Sequence, residues 1–205
     1  MESWDIVVSV ITAITAICAI IISLTQVQLS NRQFLFERRL KIILLIEDLM
    51  ALFKSTNFLI ESTDRDEPLF ASDMIFVSLT NNSYLYDMAN ALKAPLKDTE
   101  SHRRLLKKIE WFKEKSRECQ YVFRKKKWQY LSDFISRYSD FLFSIYQYII
   151  CLSSTKKFDS QESVRENKLE NQLREEFFRR FDLLSELYKT LDCRLITFLK
   201  KQLRI

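Results

Sequence analysis

The first polar interruption of the hydrophobic pattern is late. Ile6 to Leu24 is 19 residues dominated by Ile, Val and Ala, and no charge falls between Asp5 and Arg32, a run of 26 residues. At 1.5 Å per residue, roughly 20 such residues cross a hydrocarbon core of about 30 Å. The pattern predicts one membrane-spanning helix over residues 1–30. Because no breaker occurs between Trp4 and Ser62, it continues as a helical stalk over residues 31–62 and could reach roughly 80 Å. Within it, the run Ile42, Ile43, Leu44, Leu45, Ile46 is apolar almost all round, but Lys41 and Glu47 bracket it and it is too short to span, so it reads as a buried bundle segment.

Beyond the stalk, residues 63–205 read as a helical bundle. Glu61 to Glu67 is a polar turn, with Pro68 placed to open a helix over about Leu69 to Leu92. That helix has a weak point at Thr80 to Ser83, and Pro95 marks the next break. A basic helix is predicted from His102 to about Arg117, and an aromatic-rich one from Tyr121 to about Leu152. After a loop at Ser153 to Gln161, a last helix runs from about Ser163 to Leu203. Its positions Leu169, Leu173, Phe177, Phe181, Leu184, Leu187, Leu191, Leu195 and Leu199 recur at three and four and face a core. No strand-like alternation is present. The expected fold class is all-α: one transmembrane helix, a stalk and a cytosolic helical bundle.

Within the span, alternate steps of three and four select Glu2, Asp5, Ser9, Thr12, Ala16, Ala19, Ser23 and Gln26, continuing to Ser30 and Gln33. This coiled-coil-like seam holds no bulky apolar residue, whereas Val10, Ile14, Ile17, Ile21 and Leu24 lie opposite. Three readings of the stripe stand side by side. Small polar residues let copies of the helix pack closely. Turned inward around water, the same residues would line a pore, with Glu2 and Asp5 as acidic rings favouring cations. In a lone anchor, the hydroxyls would bond back to their own carbonyls.

Composition narrows the chemistry. About 14 glycines would be ordinary for this length, and the chain has none, with two prolines and one histidine, His102. Phosphate-cradling loops, nucleophile elbows and dinucleotide turns need glycine, and a triad or multi-histidine metal site needs more histidine. No enzymatic activity, cofactor or metal site is expected. Cys18, Cys119, Cys151 and Cys193 form no C-x-x-C pair and read as scattered small core residues.

Charge sets orientation and offers a ligand. Arg32, Arg38, Arg39 and Lys41 follow the span, while Glu2 and Asp5 precede it. The positive-inside rule therefore puts the C-terminal side in the cytosol, with Trp4 anchored at the outer interface. Residues 93–127 hold 13 Lys or Arg against 5 acids, a net +8 in a chain of net +5. Arg103, Arg104, Lys107, Lys108, Arg124, Lys125, Lys126, Lys127 and Trp128 are the candidate anion-binding residues, with Trp111 and Tyr121 also available to stack on bases. A solvated face and contact with anionic lipid are the competing readings of this window.

The passage ISLTQVQLSNRQFLFERRLKI, Ile22 to Ile42, resembles small bacterial membrane proteins found beside anti-phage defence genes. Its layout is similar to the single-pass membrane effectors of Hailong and type III CRISPR systems. The resemblance implies an inner-membrane homo-oligomer that permeabilises the bilayer when its cytosolic domain gains or loses a nucleotide or oligonucleotide ligand, together with a partner protein encoded nearby. The alternative is a non-conducting membrane-tethered scaffold that binds another protein.

Overall fold

A computed structural model describes residues 2–62, 64–65, 99–123, 128–155 and 163–192. Among these residues the fold is all-α, with helices α1 (Glu2–Glu61), α2 (Thr99–Val122), α3 (Gln129–Thr155) and α4 (Ser163–Asp192) and no strand. The helix expected at Leu69 to Leu92, both prolines and the last helical stretch with Leu195 and Leu199 lie outside the described residues. No described residue has a positive φ, so the backbone here asks for nothing that only glycine supplies.

The chain divides into two compact units, residues 1–41 and 42–205. The first is the N-terminal stretch of α1, whose described side chains are all exposed, and it is long and apolar enough to cross a membrane. The second holds the core. The division corrects the expected stalk of residues 31–62. Ile42, Ile43, Leu45, Ile46, Leu49, Met50, Leu52 and Phe53 are buried core side chains. Eight large apolar groups in twelve residues cannot be left in water by a spacer, so this part of α1 belongs to the bundle.

Within the second unit, α2 packs on α3 and α3 on α4. The α2 and α3 faces meet through small hydroxyl residues. Ser116 Oγ donates to the Ser132 carbonyl at 2.9 Å, and Ser139 Oγ donates to the Ile109 carbonyl at 3.3 Å. Serine does here what glycine or alanine often does, letting backbones approach, and each buried hydroxyl has its hydrogen bond. His102 Nδ1 and the Tyr146 hydroxyl are also joined, at 2.7 Å, so the single histidine fastens α2 to α3.

Aromatic rings fill the remaining space. Phe53 of α1 lies 5.6 Å from Phe181 and 5.2 Å from Tyr188, while Phe141 of α3 lies 5.5 Å from Phe177 and 6.0 Å from Phe181. Such pairs add about 0.5–1.5 kcal/mol each beyond area burial. Just past α1, Arg65 makes a two-point ion pair with Asp182 at 2.8 and 2.9 Å and lies over the Phe178 ring. The hydrogen bond to Asp182 raises the Arg65 pKa, holding the guanidinium charged.

Two expected boundaries move. Helix α2 does not stop near Arg117, because Cys119 and Val122 continue the buried row of Leu105, Ile109, Phe112 and Ser116. The aromatic helix begins at Gln129 rather than Tyr121. The stripe of α4 does face the core, with Phe177, Phe181, Leu184 and Leu191 buried, but Leu169 near its start is half exposed. Cys119 and Cys151 are buried thiols, whereas Cys18 is exposed on the first unit and is not a core residue. Burial, then the charges of Asp133 and Glu118, push the Cys119 thiol up to about 12, which leaves it protonated and unreactive. Cys193 lies outside the described residues.

Phe141→Ala should destabilise the body by about 3–5 kcal/mol in urea unfolding of the detergent-solubilised chain. Leu106→Ala, at a 41% exposed position, should change stability by no more than about 0.5 kcal/mol.

Candidate functional site

Two surfaces carry the polar chemistry predicted above, one in each unit. In the first, Asp5, Ser9, Thr12, Ala16, Ala19, Ser23 and Gln26 are exposed positions on α1; Glu2 begins the helix, and its side chain lies outside the described residues. Around them Val10, Ile14, Ile17, Ile21 and Leu24 are each more than half exposed. The apolar window of this helix has none of its residues buried by the rest of the chain.

Two of the seam hydroxyls, Ser9 and Thr12, are already bonded, as are two threonines beside the seam. Ser9 Oγ donates to the Asp5 carbonyl and Thr12 Oγ1 to the Val8 carbonyl, both at 2.8 Å, and Thr15 and Thr25 do likewise with Ile11 and Ile22. This is the back-bonding that low-dielectric surroundings favour. A hydroxyl that has given its proton inward keeps its oxygen lone pairs free. The stripe therefore presents acceptors at Ser9 and Thr12, with Asp5 and Gln26 adding side-chain oxygens near its two ends.

In the second unit, Arg103, Arg104 and Lys107 are exposed on α2 and Lys108 is half-buried. The charge is not spread along the helix. Residues 99–109 carry Arg103, Arg104, Lys107 and Lys108 against Glu100, a net +3, whereas residues 110–122 balance three cations with Glu110, Glu114 and Glu118. The second half neutralises itself, and Lys115 is held by Glu118 at 2.6 Å. Attraction for an anion is therefore concentrated in the first three turns. Lys108 Nζ lies 4.8 Å from the Trp111 ring centroid, so that half-buried ring already has a cation on it. Tyr121 is 79% exposed and free to stack at the far end of the helix.

Trp128 requires a correction. The ring is 4% exposed and packs 5.9 Å from Phe123 in the core, so it offers no face to a base. Its neighbours Arg124, Lys125, Lys126 and Lys127 lie outside the described residues.

A charged notch between α3 and α4 was not anticipated. Arg137, Asp140, Glu176, Arg179, Arg180 and Leu183 line it. Arg180 donates to Glu176 Oε1 and to the Asp140 carbonyl, each at 2.6 Å, and Arg179 grips the same carboxylate at 2.7 and 2.8 Å. Burial pushes the Glu176 pKa upward, but the hydrogen bonds from Arg180 and Arg179 outweigh it and hold the carboxyl below its ordinary value. The signal in the sequence is the spacing of Glu176 to Arg179 and Arg180, which puts all three on one helix face. The notch is mostly self-paired and reads as an α3–α4 clasp. Among the described residues, no group of three or more His, Cys, Asp or Glu is placed to hold a metal.

No known protein family, curated protein or solved structure matches this chain.

Two measurements follow from these surfaces. Fluorescence anisotropy with a short labelled oligonucleotide should give binding that weakens with salt and falls about tenfold or more in Arg103→Glu with Lys107→Glu. Because Glu176 is stabilised as the anion, its contribution is complete above the ordinary carboxylate range and disappears as pH falls below it. The melting temperature should therefore drop on acidification below about pH 4.5, and Glu176→Gln should reduce that acid-induced drop.

Proposed function

We propose that this chain is a homo-oligomeric, single-pass membrane effector of bacterial anti-phage defence. Its N-terminus lies outside the inner membrane and its helical body in the cytosol. The seam of Asp5, Ser9, Thr12, Ala16, Ala19, Ser23 and Gln26 lines or closes a cation passage. The body gates that passage through a nucleotide or oligonucleotide bound near Arg103, Arg104 and Lys107, and a protein encoded nearby acts with it.

The observation that carries this reading is the contrast along the first unit of α1. One stripe is small and polar, with acceptors at Ser9 and Thr12, the flanks are large and apolar, and the described side chains of both are exposed. Several copies with the stripe inward give lipid the flanks and ions the oxygens. Orientation is supported by the cations Arg32, Arg38, Arg39 and Lys41 after the span and the acids before it. The resemblance of Ile22 to Ile42 to defence-associated membrane proteins supports the biological setting. A second reading, a non-conducting tethered scaffold, is favoured by the back-bonded hydroxyls of Ser9 and Thr12, which need no partner.

Ser9→Leu with Thr12→Leu separates the two. In liposomes, cation flux through the wild-type protein should fall by about tenfold or more in the variant while its mass in detergent stays that of the oligomer. Unchanged flux from an intact oligomer refutes the pore.

A further inference from the structure

Past the uncharged run, the first unit carries an apolar cluster that the proposed seam does not use. Phe34, Leu35 and Phe36 are 52%, 44% and 42% exposed. Three successive residues on a helix point about 100° apart, so this cluster wraps most of the way round α1 instead of marking one face. A docking groove for a protein helix would want apolar residues at three and four on a single side. An apolar ring at one depth is what a surrounding lipid interface accepts.

Cations surround the ring. Arg32 lies before it and Arg38, Arg39 and Lys41 after it, with Glu37 the one acid among them. The Arg38 guanidinium carbon sits 4.3 Å from the Phe34 ring centroid. The ring covers one face of the guanidinium, and a planar, weakly hydrated cation beside an aromatic ring is a side chain suited to phosphate in the headgroup layer. Depth agrees with this. Trp4, 75% exposed, and Phe34 are 30 residues apart, about 45 Å along the axis, and a bilayer with its headgroup regions is about 40–45 Å thick. That separation exceeds the hydrocarbon core of about 30 Å, so when Trp4 lies in one headgroup layer, Phe34 to Phe36 lie in the other.

We propose that residues 32–41 form a collar that binds anionic phospholipid headgroups of the inner leaflet, with Phe34, Leu35 and Phe36 in the interface and Arg38 and Arg39 holding phosphate. The inference rests on the reading of α1 as a membrane span, and on neither conduction nor the body ligand. It adds a lipid preference to the protein and fixes how far α1 slides through the bilayer.

The full chain is reconstituted into phosphatidylcholine vesicles with and without 30% phosphatidylglycerol, then extracted in mild detergent, and the anionic lipid retained per chain is counted. Arg38→Gln with Arg39→Gln should lower that retention about threefold or more, while Lys168→Gln with Lys189→Gln, at exposed positions of α4, should leave it unchanged. Circular dichroism confirms that both variants stay helical. A photo-crosslinking residue placed singly at positions 34, 35 and 36 should form lipid adducts at all three. Undiminished retention in the Arg38/Arg39 variant overturns the proposal, as do adducts to a second copy in place of lipid. Release of the wild-type chain from vesicles by alkaline carbonate instead refutes the membrane span itself.

Discussion

The uncovered apolar side chains of the first unit impose the strongest constraint on this molecule. From Ile6 to Leu24, eleven Ile, Val and Leu residues are each 48–64% exposed. At about 25 cal/mol per Å² of apolar surface, leaving them in water costs on the order of 10–20 kcal/mol. That rivals the entire folding stability of an ordinary domain, about 5–15 kcal/mol. Such a surface calls for a cover, and on the proposed reading lipid takes the large apolar flanks and copies of the same helix take the small polar stripe.

Further along the same helix the requirement is met in the opposite way. Ile42 to Phe53 is also rich in large apolar residues, yet all of these but Leu44 are buried, and Phe53 packs on Phe181 and Tyr188 of α4. The body achieves this without glycine because serine supplies the small contacts. Ser116, Ser132 and Ser139 are buried between α2 and α3 with every hydroxyl bonded, so close approach costs no orphaned polar group. The large aromatics then fill the wider spaces on the α4 side.

Much of this was legible from periodicity. The long α1, the burial of Ile42, Ile43, Leu45 and Ile46 and the core stripe of α4 all follow from where apolar residues recur. The errors share one cause. Around residues 118–128 the abundance of Lys and Arg obscured the buried row, so α2 was ended near Arg117 although Cys119 and Val122 are in phase with Phe112. Trp128 was assigned to a ligand although its indole belongs to the core. Charge reveals that a segment has a solvated side, but not the direction in which an aromatic between two charges points. Helical pattern cannot reveal where covering begins, and the division between Lys41 and Ile42 depends on chain segments far away in sequence.

The candidate seam poses a problem of order that its hydrogen bonds resolve. A polar stripe is costly to bring into hydrocarbon, which argues against inserting such a helix singly. Yet Ser9 and Thr12 of the seam, like Thr15 and Thr25 beside it, each spend their proton on the preceding turn, so these hydroxyl donors are satisfied before any partner arrives. The oxygens stay available, and an acceptor is what a neighbouring Gln26 amide or a passing cation needs. On the proposed reading, the lone anchor and the assembled seam are therefore successive states of one helix rather than rivals. Back-bonding lets the span enter the bilayer alone, and the lone pairs it leaves uncovered give the copies a reason to meet.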